Sequence, residues 1–223
     1  MNIVVSGCSQ GIGFELVKLL GKSHNVYALS SNPSVLQVKL GQVPCSIIDF
    51  NFLTHDLSSI KNKLPDTVDI LINNAGVLIN KSFEDYSGDD VDKIMTVNFK
   101  IPLLLTQQLI SNLRKSSVAH VVSIGSMGGF QGSSKFSGLS VYSASKAAMA
   151  CLTECLATEY SDQGVRFNCL ALGAVQTEML NRAFPGYKAP LTPEEIAQYI
   201  ADFALKQWRF INGKIIPVAV SNP

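Results

Sequence analysis

The sequence predicts an α/β fold in which helices cover both faces of a doubly wound parallel sheet. Short β-branched runs alternate with longer segments whose apolar residues recur at helical spacing. Strand, helix and strand in repeated order build a parallel sheet with buried faces. No repeat or low-complexity linker interrupts the alternation, and 223 residues with 47% hydrophobic content suit one large core. We therefore expect a single three-layer αβα domain over residues 1–223.

The predicted elements follow one another along the chain. The strands are the apolar runs at residues 3–5, 25–29, 45–49, 68–74, 119–125, 165–171 and 214–220. The first helix covers residues 11–20, and Gly21 ends it. Further helices are predicted from about Ser87 to Leu113, around Tyr142, and at 193–205, where a proline and two glutamates favour a helix N-terminus.

Composition argues against several kinds of partner and site. The formal net charge is +1 at pH 7 and the basic residues are scattered, so we expect neither nucleic acid nor a membrane surface as partner. The sequence shows no signal peptide and no apolar run long enough to cross a bilayer, which predicts a soluble, cytoplasmic protein. The five cysteines contain no CxxC pair, so we expect neither a disulfide framework nor a metal site.

The first strand-to-helix turn reads SGCSQGIG. Its glycines stand where backbone N–H groups and a helix N-terminus could meet a pyrophosphate, which indicates a dinucleotide site. The GKS at 21–23 is not a phosphate-binding loop, because Leu16 stands where that motif needs its first glycine. The candidate cofactor contacts in the turn are Gly7, Ser9, Gln10, Gly11, Ile12 and Gly13.

Further features follow this GxxxGxG turn in a fixed order. They are NNAG at 73–76, Asn98, a serine at the end of the fifth predicted strand, and YxxxK from Tyr142 to Lys146. The ordered set spans nearly the whole chain and resembles the short-chain dehydrogenase/reductase family. The resemblance implies a Rossmann-type fold, a nicotinamide dinucleotide cofactor, and a small-molecule alcohol or carbonyl substrate. It also implies a homodimer or homotetramer, because the family pairs the helices after Asn98 and after Tyr142.

The YxxxK spacing suits the chemistry of such an enzyme. Residues four apart on a helix share a face, so the Tyr142 phenol and the Lys146 ammonium should point the same way. An alcohol that gives up a hydride must also lose its hydroxyl proton, and a carbonyl that accepts one must gain a proton. A free phenol titrates near about 10, so a neighbouring cation is needed to favour the phenolate. We therefore predict Tyr142 as the acid/base and Lys146 as the cation that tunes it.

The remaining catalytic roles come from the resemblance. It implies that Lys146 also bonds the nicotinamide ribose, that Ser126 holds the substrate oxygen, and that Asn98 anchors water linking Lys146 to solvent. Alignment of the strand HVVSI favours Ser126 over Ser123, with Ser140 as a reserve candidate. The Gly- and Ser-rich segment between Ser126 and Tyr142 is longer than is usual in the family. It is either a mobile loop beside the substrate pocket or a solvated excursion.

The end of the second strand bears on the choice of cofactor. An NAD enzyme of this fold normally has an acidic residue there, whereas this chain has Ser30 and no Asp or Glu between Leu16 and Ile48. Ser30, Ser31 and Asn32 could donate hydrogen bonds to a 2′-phosphate, which favours NADP. No arginine follows Ser30, and Gln10 stands where NADP-preferring relatives often have a basic residue, so NAD stays open.

Other cofactor contacts are implied by the resemblance. Asp49 resembles the residue that bonds the adenine amino group. The further candidates are Phe50, Asn74, Ala75, Gly76, Gly173, Val175 and Thr177. After the sixth strand the family usually has a proline, and Leu172 stands in its place here, a departure expected to loosen that turn.

The segment at 178–193 corresponds to the substrate lid of relatives, and it is short. It carries Phe184 and Tyr187 together with Arg182 and Lys188, a mixture compatible with an anionic or polar carbonyl compound. A serine hydrolase is disfavoured because the GxSxG pattern lacks its first glycine. A non-catalytic dinucleotide-binding regulator on the same fold stays open as an alternative, although such a protein has no use for an acid/base.

Overall fold

The sheet of this protein is fully parallel, and its strand order is β3-β2-β1-β4-β5-β6-β7. The computed structural model describes residues 1–51, 53–54 and 60–220. In this part of the chain the strands are β1 (Asn2–Ser6), β2 (Asn25–Ser30), β3 (Ser46–Asp49), β4 (Ile70–Asn73), β5 (His120–Ser126), β6 (Arg166–Leu172) and β7 (Lys214–Val218). The direction of winding reverses between β1 and β4, which opens a crevice at the carboxyl ends of these strands.

Helices cover both faces of the sheet. They are α1 (Gly11–Leu20), α2 (Pro33–Leu40), α3 (Gly88–Met95), α4 (Ile101–Leu113), α5 (Ser140–Glu159), α6 (Glu178–Ala183) and α7 (Pro193–Lys206). Apolar residues of α1, α2 and α7 pack with Ile3 and Val5, whereas those of α4 and α5 pack on the opposite face with Val4 and Leu71. Successive strand residues point to opposite faces, so apolar runs such as these are buried from both sides. The predicted doubly wound α/β fold is confirmed.

The predicted helix from Ser87 to Leu113 is interrupted. After α3, residues Thr96–Lys100 form a π-helical turn before α4 begins. Pro102 lies four residues after Asn98 and has no N–H to donate to the Asn98 carbonyl, so the regular helical bond is lost there. This turn holds Asn98, and π turns of this kind are frequent at functional sites.

Helices α2 and α6 are not among the helices that the sequence predicts. Helix α2 begins at Pro33, but its apolar residues do not form a single stripe, because Val35 and Val38 are exposed while Leu36 and Leu40 are buried. A helix of this pattern gives no helical periodicity to detect. None of the helices in the described part of the chain has the length and apolar character that spanning a membrane requires.

Candidate active site

A cavity of about 670 Å³ lies at the carboxyl end of the sheet, beside the point where the strand order reverses. Its walls come from the β1–α1 turn, the segments that follow β2, β4 and β6, the end of β5, and the first turns of α5. The predicted site residues that line it are Gly7, Ser9, Gln10, Gly11, Ile12, Ser31, Asn32, Asn74, Ala75, Gly76, Ser126, Tyr142, Lys146, Gly173, Val175 and Thr177. Folding therefore brings most of the candidate residues, which are widely separated in sequence, to one concavity.

The glycine turn needs its glycines. Gly7 has φ +73°, and a Cβ built there would lie 2.6 Å from the Cα atom of Ala75, so no side chain fits. A Cβ on Gly13 would lie 2.2 Å from the carbonyl oxygen of Gly7. The Gln10 side chain does not cap α1, so it leaves the first backbone N–H groups of that helix unsatisfied by side-chain capping. Such a helix N-terminus suits a bound phosphate.

The NNAG segment is held against this turn by a residue that sequence reasoning missed. The Ser6 hydroxyl accepts hydrogen bonds from the backbone N–H groups of Asn74 and Ala75, each at 3.1 Å. The Asn74 side-chain amide donates to the carbonyls of Ser6 and Gly7 at 3.0 and 3.1 Å. A single polar residue at the end of an otherwise apolar first strand was the available signal.

Tyr142 and Ser126 lie next to each other at the wall of the cavity. Ser126 is the last residue of β5, and its hydroxyl accepts the backbone N–H of Gly128 at 3.2 Å. Burial raises the pKa of Tyr142, and hydrogen bonding with the Ser126 hydroxyl opposes that rise. Ser140 is exposed and does not line this cavity. The geometry therefore favours Ser126 over its reserve candidate as the partner of the phenol.

Lys146 is buried on the same side of α5 as Tyr142. Its Nζ atom lies 5.9 Å from the centroid of the Tyr142 ring and donates a 2.8 Å hydrogen bond to the Ile124 carbonyl. Burial lowers the pKa of Lys146 to about 8, and the nearby Cys169 opposes this shift. Lys146 therefore lies close to the phenol, and with a pKa of about 8 it is mostly protonated at pH 7.

Asn98 is buried beside Lys146. Its side-chain oxygen accepts the backbone N–H of Val77 at 2.8 Å, and its amide donates to the Val77 carbonyl at 2.9 Å and to the Ser145 hydroxyl at 3.0 Å. A Cβ on Gly76 would lie 3.5 Å from both Asn98 Oδ1 and Lys146 Nζ, so Gly76 marks where the two side chains meet. The Asn98 side chain thus fixes the loop after β4. The backbone carbonyl of Asn98 receives no helical hydrogen bond from residue 102, because Pro102 has no N–H.

Four of the candidate cofactor residues, Gly13, Ser30, Asp49 and Phe50, do not line the cavity. Ser30 is fully buried, with its hydroxyl 2.9 Å from that of Ser9 and accepting the Asn32 N–H at 3.1 Å. Asp49 is exposed, and the Phe50 side chain is buried in the core. Ser30 therefore shapes the turn that carries Ser31 and Asn32, which do line the cavity.

The turn after β6 is supported by the last strand, which offsets the missing proline. The Gly173 N–H donates to the Val218 carbonyl at 2.9 Å, and a Cβ on Gly173 would lie 2.8 Å from the Cβ atom of Ala219. The Thr177 hydroxyl accepts the N–H of Leu180 at 3.2 Å and so caps α6. These contacts hold the turn at both ends, at Gly173 and at Thr177.

The far side of the cavity is mainly apolar. Arg182 forms an ion pair with Glu178, and neither Arg182 nor Lys188 lines the cavity. The mixture of apolar and basic groups noted in the lid sequence is therefore divided in the structure, since Phe184 and Tyr187 line the cavity and the two basic residues do not. Lining residues that sequence reasoning missed are Leu78, Met127, Phe136, Leu139, Met179 and Leu180. They come from four separate segments, so no local pattern could have grouped them.

The segment between Ser126 and Tyr142 is tied to itself rather than open. The Ser133 hydroxyl donates to the carbonyls of Met127 and Phe130, and Lys135 Nζ donates to the Phe130 carbonyl at 2.7 Å. Phe136 and Leu139 then turn toward the cavity.

In the described part of the chain, no group of three or more His, Cys, Asp or Glu side chains is arranged to hold a metal ion.

Known proteins resemble this chain in sequence. The family model for short chain dehydrogenases matches residues 1–188. An uncharacterized oxidoreductase of Thermotoga maritima is 36% identical over 150 residues, which cover 66% of this chain and 57% of that protein. An uncharacterized oxidoreductase of Staphylococcus aureus is 28% identical over 224 residues, which cover 96% of this chain and 95% of that protein.

A solved structure gives the same result for the fold. The structure of 4-hydroxyisoleucine dehydrogenase complexed with NADH is 27% identical and has a TM-score of 0.82, covering 98% of this chain and 96% of that chain. The match of the family model extends from the glycine turn through the YxxxK helix to α6. This chain therefore belongs to the short chain dehydrogenase family of oxidoreductases.

Proposed function

We propose that the protein transfers a hydride between NADP(H) and an alcohol or carbonyl compound, with Tyr142 as the general acid and base. The observation that carries the proposal is the meeting of the Tyr142 phenol and the Ser126 hydroxyl at the wall of a cavity that also receives the glycine turn. A phenol and a hydroxyl on one side of a cavity can together hold a substrate oxygen and move its proton.

The residues on the cofactor side fit a nicotinamide dinucleotide. The N-terminus of α1 has no side-chain cap, and Gly7 has no side chain that would keep a ligand away from the backbone. Both features suit the binding of a pyrophosphate. When bound, the dinucleotide supplies or accepts the hydride. The NADH complex of 4-hydroxyisoleucine dehydrogenase supports a cofactor of this type for a protein of similar fold.

The proton chemistry belongs to this chain. Tyr142 would donate its proton to a carbonyl oxygen or take one from an alcohol, while Ser126 holds that oxygen by a hydrogen bond. Lys146 would stabilise the phenolate by its charge and contact the nicotinamide ribose. Asn98 would anchor the water that links Lys146 to solvent, through its backbone carbonyl, because its side-chain atoms are bound to Val77 and Ser145.

The preference for NADP is supported by the polar groups that follow β2. Ser31 and Asn32 line the cavity and carry donors, and no acidic side chain from this segment lines it to repel a 2′-phosphate. The Ser30 hydroxyl is committed to Ser9 and to the Asn32 N–H, so it would act by positioning rather than by direct contact. Asp49 is exposed next to Ser30 at the end of β3 and would bond the adenine amino group, whereas the buried Phe50 side chain would not contact the cofactor.

The same proposal includes a substrate lid and assembly into an oligomer. Residues 178–193 would form a short lid over the substrate, since α6 and the chain after it contribute Met179, Leu180 and Phe184 to the cavity wall. Assembly as a homodimer or homotetramer would use the exposed sides of α4 and α5. A non-catalytic regulator is the alternative, and the paired phenol and hydroxyl favour the enzyme.

The test combines cofactor titration with one substitution. Nicotinamide fluorescence should show tighter binding of NADPH than of NADH to the purified protein. With a ketone found by an NADPH-consumption screen, Tyr142→Phe should lower kcat by about 10²- to 10⁴-fold, the usual contribution of a positioned acid/base, while NADPH still binds.

Tyr160→Phe is the matched control, because Tyr160 packs against Phe167 at the far end of α5 and does not line the cavity. Full turnover by Tyr142→Phe would refute its role as acid/base and favour the regulator. Failure to bind either dinucleotide would refute the oxidoreductase itself.

A further inference from the structure

The part of the cavity beyond Ser126 and Tyr142 has a distinct wall, which we call the substrate chamber. It is formed by Leu78, Met127, Phe136, Leu139, Leu180 and Phe184. Met127 directly follows Ser126, Leu139 lies three residues before Tyr142, and Leu180 and Phe184 come from the lid. The surface next to the reacting groups is therefore made of aliphatic, thioether and aromatic side chains.

Charged side chains are scarce along the whole cavity. Among the described residues that line it, only Lys146 and Glu178 carry a charge. Lys146 donates to the Ile124 carbonyl and lies near Gly76, on the side of the cavity assigned to the cofactor. Among the described residues, the wall of the substrate chamber therefore carries no cation for a substrate anion.

The basic residues of the lid do not supply the missing cation. Arg182 is paired with Glu178 and its side chain is 73% exposed, and Lys188 is exposed as well. A carboxylate or phosphate that entered the chamber would lose its hydration without gaining a partner, which is strongly unfavourable. An uncharged apolar group would instead gain from leaving water.

We propose that the substrate is an uncharged, largely apolar ketone, aldehyde or alcohol whose single reacting oxygen is held by Ser126 and Tyr142. This inference rests on the proposed function and narrows its substrate class. The apolar wall supplies binding and the two hydroxyl groups supply orientation, which is the usual division of labour in a small-molecule pocket.

The test uses two ketones that share one skeleton and differ in charge. Isothermal titration calorimetry measures the binding of methyl 4-acetylbenzoate and of 4-acetylbenzoate to the protein, alone and with NADP⁺. The neutral ester should bind at least about 30-fold more tightly than the carboxylate, since an unpaired buried charge is costly. Equal binding, preference for the carboxylate, or no binding of either compound would overturn the proposal.

A charge placed in the chamber should reverse the preference. Leu180→Arg adds a cation to the wall and should strengthen binding of 4-acetylbenzoate by about 10-fold, because a charge-assisted pair becomes available. Arg182→Ala is the matched control, since Arg182 is exposed and lies outside the wall, and it should leave the ratio unchanged. A stronger gain or loss of carboxylate binding in Arg182→Ala than in Leu180→Arg would overturn the assignment of the wall.

Failure of this inference and failure of the proposed function give different results. The ester-to-carboxylate ratio is a binding measurement and does not require turnover, so Tyr142→Phe should keep it. If that ratio favours the ester while Tyr142→Phe retains full turnover, the acid/base proposal is wrong and the apolar chamber stands. If the ratio favours the carboxylate while Tyr142→Phe is inactive, the chemistry stands and the substrate class is wrong.

Discussion

His120 is a buried ionisable side chain that the proposed reaction does not use. Its Nδ1 atom lies 3.0 Å from the Ala204 carbonyl, so Nδ1 carries the proton, and its Nε2 atom lies 3.0 Å from the Asn168 side-chain amide, from which it accepts. Asn168 cannot turn its amide around without cost, because that amide also donates to the Ile211 carbonyl and its oxygen accepts the Lys214 N–H. The network therefore fixes a neutral imidazole that joins β5 to α7.

The pH dependence of stability should report this histidine. Burial lowers the pKa of His120 from 6.5 to about 4, so between these values the unfolded chain binds the proton that the folded chain excludes. The contribution is complete above pH 6.5 and is lost as the pH falls toward 4, by about 3 kcal/mol in all. Urea unfolding of the native protein and of His120→Gln at pH 7 and pH 4 measures it. An equal pH effect on both proteins would contradict the assignment.

At the scale of elements, the π turn between α3 and α4 links the fold to the site. Pro102 removes one helical hydrogen bond and the backbone widens by one residue, which places Asn98 against Val77 and Ser145. A continuous helix over the same residues would rotate Asn98 relative to α4. The local departure from regular structure is therefore what lets the loop after β4 be anchored beside Lys146.

Helix α7 offers the clearest element-level prediction. The Thr192 hydroxyl accepts the Glu195 N–H at 3.3 Å, and the Glu195 carboxylate accepts the Thr192 N–H at 2.8 Å, which together form a capping box. Thr192→Ala should lower the free energy of unfolding by about 1 kcal/mol, because one helix N–H loses its acceptor. Thr158→Ala, at an exposed position of α5, is the control and should change the free energy of unfolding by less than half as much. Equal losses measured by urea unfolding would refute the capping role.

At the scale of the whole molecule, the walls of the cavity are tied together across distant parts of the chain. The Tyr86 hydroxyl contacts the carbonyls of Ile79 and Gly138 at 2.6 and 2.8 Å, which joins the loop after β4 to the segment before α5. The Asn80 side-chain amide donates to the Ala183 carbonyl at 2.9 Å, which joins the same loop to the end of α6. The loop after β4 thus connects both sides of the substrate chamber.

Loss of the Asn80 contact should loosen the proposed lid. A single hydrogen bond of this kind contributes about 1 kcal/mol, so Asn80→Ala should raise the KM of a substrate by about fivefold and leave the free energy of unfolding nearly unchanged. Ser82→Ala, two residues further along the exposed loop, is the control. Steady-state kinetics with NADPH would measure the effect, and an unchanged KM in Asn80→Ala would show that this bond does not hold the lid.

The sequence by itself determined the order of strands and helices, because burial on two faces demands continuous apolar runs and helical periodicity is a local property. It also identified Gly7 through the glycine turn and Tyr142 and Lys146 through their helical spacing, because both features are local. Asn98 and Ser126 became candidates only through the resemblance to the family. It could not detect α2, whose apolar residues form no single stripe, or the six-residue helix α6, which is too short for helical periodicity to show. It also did not detect the π-helical turn before α4.

Tertiary structure alone decided which side chains share the cavity. Ser30 is buried while its neighbours Ser31 and Asn32 line the cavity. Phe136 also lines it, whereas Arg182 and Lys188 do not. These outcomes depend on how segments more than a hundred residues apart meet, as Asn80 meets Ala183. Spacing along the chain fixes only neighbours within an element, whereas the charge and shape of a pocket follow from packing between elements.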